Sequence, residues 1–159
     1  MHRKGLLFAP DSPVTAQILA PNGPVPDPQK LKSLGRKVPN FDDRAWHKER
    51  FNIVVEGNYQ KFSQNPKLKR RLLATGTREL VEASPRDRIW GVGFGAKNAL
   101  KNRSRWGLNL LGKALMEVRE RLQKEEEADV EDFDAEADAE ADAKESAEDP
   151  DDCDGEDSA

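Results

Sequence analysis

The chain changes character between Lys124 and Glu125, and that break bounds what can fold. Residues 1–124 carry 25 Lys and Arg against 11 Asp and Glu, a net of +14. Residues 125–159 carry one Lys against 19 acids, a net of −18. The overall −4 therefore conceals a basic body and an acidic tail. The run Asp134-Ala-Glu-Ala-Asp-Ala-Glu-Ala-Asp142 sets carboxylates close together with nothing apolar to bury. Like-charge repulsion and the lack of a core predict disorder over residues 125–159. What remains is one domain at most.

Within that body, Glu82-Ala-Ser-Pro-Arg-Asp87-Arg-Ile-Trp90-Gly-Val-Gly93 is not written as an ordinary core helix. Ser84-x-x-Asp87, with Pro85 between, reads as a capped helix start in which Asp87 is the third helical residue. Two glycines in three residues, Gly91 and Gly93, then predict a tight turn. An acid, guanidinium groups and an indole beside such a turn suit a charged, flat ligand. Gly91-x-Gly93-x-Gly95 has no strand-to-helix context and does not make a dinucleotide loop.

The other elements follow from caps and apolar spacing. Ser12-Pro13, Asp27-Pro28 and Asn65-Pro66 each set a capping side chain before a proline at the first helical position. Gly35 and Gly76 read as the corresponding stops, and Pro21 to Pro28 as a proline-rich loop. Lys4 to Ala9 reads as the end of a helix whose Leu6, Leu7 and Phe8 lack an upstream turn. Asp42 caps a further helix, with Phe41 packing on Trp46 as a hydrophobic staple. Leu111, Leu115, Val118 and Leu122 form the stripe of a last helix from about Leu110 to Lys124. Glu79–Ala83 and Ile89–Val92 are the only strand candidates, and neither alternates for long. The expected fold is mostly α, an α+β domain with minor short strands over residues 1–124.

The single cysteine, Cys153, excludes an internal disulfide. No apolar run approaches a membrane span, and the residues after Met1 are too few for a signal-peptide core. The expectation is a cytoplasmic or nuclear protein. His2 and His47 have no partners at metal-ligand spacing, so neither metal nor cofactor is expected.

Five blocks carry a family resemblance: Lys61-Phe-Ser-Gln-Asn-Pro66, Leu72-Leu-Ala-Thr-Gly76, Leu80-Val-Glu-Ala-Ser84, Asp87-Arg-Ile-Trp-Gly-Val-Gly93 and Gly107-Leu-Asn-Leu-Leu-Gly-Lys-Ala-Leu-Met-Glu-Val-Arg119. In order and spacing the chain resembles the YbiA-like, or NADAR, family, with weaker similarity running back through Leu34-Gly-Arg36, Phe41-Asp42 and Trp46 to Lys4. The resemblance covers roughly residues 1–124. It implies an N-glycosidase that hydrolyses a ribose-to-nitrogen bond, in a ribosylamino-pyrimidine of riboflavin synthesis or in ADP-ribose carried on a base. It also implies Asp87 and Trp46 as catalytic residues, and Arg36, Lys4, Trp90, Gly91 and Asn109 as substrate or phosphate contacts. A third catalytic group of the family, a glutamate in a Glu-His block, aligns just ahead of Met1. The resemblance therefore implies a domain whose first part lies outside these residues, with low activity expected of residues 1–159 alone.

Each of these residues also has a structural reading. Asp87 serves a helix N-terminus equally well, and a carboxylate so placed stays ionised. Trp46 on a helix stripe reads as core, and the resemblance makes it a surface for the leaving base. Arg36 reads equally as a phosphate clamp or as a partner of a helix C-terminus. Trp90 and Trp106 read chiefly as structural. Phe94 to Arg105, relative to the family, is an insertion whose Lys97, Lys101, Arg103 and Arg105 form a basic loop. The expected partner is a phosphorylated riboside or ADP-ribose-type small molecule. The alternative is a non-catalytic binder of such compounds or of nucleic acid, with the acidic tail masking the basic surface.

Overall fold

The computed structural model describes residues 1–20 and 27–145; Pro21–Pro26, the end of the acidic tail and Cys153 lie outside the described residues. Among the described residues, seven α-helices follow one another: α1 (His2–Phe8), α2 (Pro13–Leu19), α3 (Pro28–Arg36), α4 (Asp43–Ser63), α5 (Pro66–Leu73), α6 (Ala96–Ala99) and α7 (Leu110–Glu145). A 3₁₀ segment, Leu100–Arg105, continues α6. The caps fall where side-chain chemistry places them. Ser12, Asp27, Asp42 and Asn65 accept from the N–H groups of Val14, Gln29, Ala45 and Leu68 at 3.2, 3.4, 2.7 and 3.2 Å.

Two apolar clusters hold the domain. In the larger, α4, α5 and α7 bury Val55, Leu72, Ala114, Val118 and Leu122, flanked by Phe51, Tyr59, Phe62, Leu80 and Leu115. Val118 and Leu122 are wholly covered, each worth about 1.5–3 kcal/mol over an exposed position. In the smaller, α1 to α3 bury Ala9, Ile18 and Val38 against Phe8, Val14, Leu31 and Leu34. At the start of α4, Phe8 of the smaller cluster forms a triangle with Phe41 and Trp46, with ring centroids 5.1–6.4 Å apart. Leu6 and Leu7 remain largely exposed and line a groove with Arg3, Glu49 and Ile53. Phe8, grouped with them in the sequence, is half-buried.

Four expectations need correction. No strand occurs among the described residues. The carbonyls of Arg88 to Val92 do accept from the N–H groups of Leu108, Leu110, Leu111, Asn109 and Gly107, respectively. That order is too irregular for a ladder. The helix start at Ser84 is absent because the N–H groups of Ile89 and Trp90, which in a helix would donate to the carbonyls of Pro85 and Arg86, donate to Asp87 Oδ1 instead. Gly35 is not a stop. It lies buried in the last turn of α3, where the Met1 side chain occupies the space a Cβ would need. The last helix does not end at Lys124 but continues to Glu145. Glu, Ala and Lys are strong helix formers, and Tyr59 and Lys69 hold Glu125 and Glu126 at 3.1 and 2.9 Å.

The basic insertion also forms helical turns. Trp106 anchors it through Nε1 on Ala99 O at 2.7 Å.

Candidate active site

The sequence-selected residues fall into two groups. Lys4, Trp46 and the Gly35–Arg36 end of α3 form the first. Lys4 Nζ donates to Gly35 O at 2.8 Å, satisfying a carbonyl at the end of α3, and lies 4.2 Å from the Phe41 ring centroid and 5.8 Å from that of Trp46. Burial lowers the Lys4 pKa from its ordinary value. Arg36 is exposed beside it. The C-terminal carbonyl that sequence reasoning offered to Arg36 is thus taken by Lys4.

Asp87, Trp90, Gly91 and Asn109 form the second group. Asp87 Oδ1 accepts from Ile89 N at 2.9 Å and from Trp90 N at 2.7 Å, so the residue closes its own turn. Burial pushes its carboxyl pKa upward, but the N–H groups of Trp90, Ile89 and Gly91 outweigh that and hold it below the ordinary value. The resulting carboxylate is charged and fixed in direction.

Behind these peptides stands the start of α7. Leu110 N donates to Ile89 O and Leu111 N to Trp90 O, both at 3.1 Å. These are first-turn N–H groups that lack a partner within their own helix. Ile89 C=O and Trp90 N–H belong to one peptide group, and Trp90 C=O and Gly91 N–H to the next. The first of these peptides therefore has α7 at its oxygen and Asp87 at its nitrogen.

Asn109 precedes α7 and adopts φ +50, a conformation asparagine tolerates better than most residues. Its carbonyl accepts the first bond of the helix, from Lys113 N at 3.0 Å. Its side chain turns away from the helix: Nδ2 donates to Leu80 O at 2.9 Å and Oδ1 accepts from Glu82 N at 3.0 Å. At 4 % exposure, with both amide atoms engaged, Asn109 faces the protein.

Sequence reasoning missed the close approaches that make this possible. A Cβ on Gly91 would lie 2.8 Å from Glu82 O and 3.0 Å from Asp87 O. One on Gly107 would strike the Arg88 backbone, and one on Gly112 would strike Leu80 O and the Asn109 amide. Glycines on either side of an asparagine at a helix start were the available signal. Arg119 was also missed. It is 7 % exposed, has no carboxylate partner among the described residues, and donates to Thr75 Oγ1 at 2.7 Å and Arg78 O at 2.9 Å.

Among the described residues, no hydrogen bond, ion pair or ring contact joins the two groups, and no three His, Cys, Asp or Glu side chains gather as a metal site. No helix among them is long and apolar enough to cross a membrane.

The arrangement defines a helical domain that presents a carboxylate held by backbone N–H groups. The model of the NADAR domain matches residues 1–123, and the chain belongs to that family. It is 54 % identical over 97 residues to N-glycosidase R617 of Acanthamoeba polyphaga mimivirus, covering 60 % of this chain and 57 % of that protein. It is 35 % identical over 131 residues to Protein irg-1 of Caenorhabditis elegans, covering 80 % and 59 %. Riboflavin biosynthesis protein VVA0006 of Vibrio vulnificus (strain YJ016) is 36 % identical over 91 residues, covering 57 % of this chain and 22 % of that protein. The chain thus spans little more than half the length of the first two.

Proposed function

We propose that the chain is an N-glycosidase-type hydrolase acting on the ribose-to-nitrogen bond of a phosphorylated ribosylamino-pyrimidine, or of ADP-ribose carried on a base. The observation that carries this reading is the Asp87 carboxylate, kept ionised by the N–H groups of Ile89 and Trp90. Breaking the C1′–N bond leaves positive charge on the sugar carbon, and a fixed anion lowers the energy of that state. Water then adds its oxygen to C1′, one of its protons passes to solvent or base, and the departing nitrogen gains a proton. Trp46 supplies an aromatic face for the leaving base, and Lys4 with Arg36 supplies positive charge for phosphate. Names given to relatives, an N-glycosidase and a riboflavin biosynthesis protein, support the reading.

Release of free base from a ribosylamino-uracil phosphate tests it. The assay uses the 159-residue chain and the same chain joined to a family-like N-terminal segment carrying the Glu-His block. The joined chain is expected to be much the faster, and Asp87→Ala to remove the gain. Turnover insensitive to Asp87→Ala would overturn the role of Asp87.

A second reading, a binder of nucleic acid, is favoured by one feature. Lys97, Lys101 and Arg105 are exposed beside Leu100, which is 78 % exposed, and only Arg103 of the insertion forms an ion pair among the described residues, with Glu79 at 2.7 Å. Salt-dependent retention of an oligonucleotide, lost in Lys97→Glu/Lys101→Glu, would support that reading.

A further inference from the structure

We propose that Asn109 is the positioning residue of the Asp87 carboxylate. Three observations meet at this position. The Asn109 side chain leaves its own helix uncapped and ties down Leu80 and Glu82 instead. The first-turn N–H groups of α7, at Leu110 and Leu111, are thereby available to Ile89 O and Trp90 O. The peptide that carries Ile89 O also presents the Trp90 N–H to Asp87, at 2.7 Å.

Segment 80–82 is the other wall of this assembly. Glu82 O accepts from Val92 N at 3.0 Å and from Ser84 N at 2.9 Å, closing the loop that contains Asp87. Asn109 N in turn donates to Gly91 O at 3.3 Å. One residue therefore holds the neck of the loop with its side chain, the far end of the turn with its N–H, and α7 with its carbonyl. Hydrogen bonds in series polarise one another, so the positive end of α7 acts on Asp87 through the bridging peptide.

The role of Asn109 in turnover rests on the hydrolytic reading above; its hold on Asp87 does not. Two variants separate its contributions. Asn109→Gly keeps the left-handed backbone and loses both amide bonds. Asn109→Asp keeps an acceptor for Glu82 N but sets a carboxylate oxygen against Leu80 O. Amide hydrogen exchange is followed at Ile89, Trp90 and Gly91, with Val118 and Leu122 in the core of α7 as internal reference. Exchange at residues 89–91 is expected to accelerate roughly five- to tenfold in both variants, the factor for one hydrogen bond lost, with the reference amides changed less. In the joined chain described above, with the ribosylamino-uracil phosphate as probe, kcat is expected to fall by about 10²-fold, as for a misplaced catalytic group. KM should change far less.

Equal acceleration at all five amides would reduce Asn109 to a general stabiliser and overturn the proposal. Unchanged exchange at 89–91 would overturn it as well. Faster exchange at 89–91 alone, with neither the parent nor Asp87→Asn hydrolysing the probe, would uphold the hold of Asn109 on Asp87 and remove the hydrolytic reading instead.

Discussion

Leu110 and Asp87 grip opposite ends of a single peptide group. The Leu110 N–H donates to Ile89 O at 3.1 Å, and the N–H of the same peptide, on Trp90, donates to Asp87 Oδ1 at 2.7 Å. A helix terminus thereby reaches a side chain it does not touch.

This relationship has a pH signature. The N–H donors hold Asp87 below the ordinary carboxyl value of 3.8 despite the opposing effect of burial. A depressed folded-state value means that the ionised carboxylate contributes stability above the unfolded value. That contribution is lost as pH falls through the folded value. Asp87→Asn is therefore expected to be less stable than the parent at neutral pH, with the gap closing in acid as pH falls from the ordinary carboxyl value through the lower folded one. Urea unfolding at neutral and at acid pH checks it. A gap that widens in acid would contradict the assigned sign.

Much of the fold was legible because its signals are local. Ser12, Asp27, Asp42 and Asn65 cap the helices they precede, and the Leu111–Leu122 stripe marks α7. Asp87 and Trp90 were legible as neighbours, but the helix assigned to them was not real. Ser84-x-x-Asp87 is a valid local start that loses to a tighter turn, in which Asp87 Oδ1 takes the Ile89 and Trp90 N–H groups a helix would need. The family resemblance sets Asn109 among the ligand contacts, whereas its amide is spent on Leu80 and Glu82, a relationship spanning nearly thirty residues that no short pattern encodes. The end of α7 was misplaced for the opposite reason. Helix propensity persists through an acidic segment that lacks the apolar residues by which a packed helix is recognised.

Glycine substitutions should separate packing from conformation. Gly57 lies in the middle of α4 with nothing within 4 Å of where a Cβ would stand, whereas a methyl on Gly112 would meet Leu80 O and the Asn109 amide. Gly57→Ala is expected to stabilise by about 0.5–1 kcal/mol through the lower backbone freedom of the unfolded chain. Gly112→Ala should cost about 1–3 kcal/mol, because backbone must move. Thermal or denaturant midpoints that shift in the same direction for both would refute the contrast.

Arg119 places a guanidinium in the interior with, among the described residues, only Thr75 Oγ1 and Arg78 O as partners. Arg119→Met leaves the Arg78 carbonyl without its donor, at an expected cost of about 1–3 kcal/mol. Thr75 retains its own bond to Leu72 O at 2.5 Å, so the loss should centre on the 75–78 turn. Arg119→Lys should recover part of it, since an ammonium reaches one acceptor but not both. Full recovery by lysine would show that charge rather than the guanidinium fork matters.

The course of α7 bears on the acidic segment. The helix starts at Leu110, beside the basic insertion, and runs to Glu145. At 1.5 Å per residue that is about 54 Å, so its acidic part leads away from Lys97, Lys101 and Arg105. Masking of those cations by the helical residues up to Glu145 would require the helix to break. Among the described residues, the last of the α7 stripe in the core is Leu122, and the last paired acids are Glu125 and Glu126. Removing residues 129–159 is therefore expected to leave the melting temperature nearly unchanged. Affinity for an oligonucleotide or phosphorylated riboside should also be the same with or without the segment at low salt. Long-range attraction would act out to a Debye length of about 10 Å at 0.1 M salt and about 3 Å at 1 M. Tighter binding by the shortened chain at low salt, fading as salt rises, would show that the segment folds back over the basic surface after all.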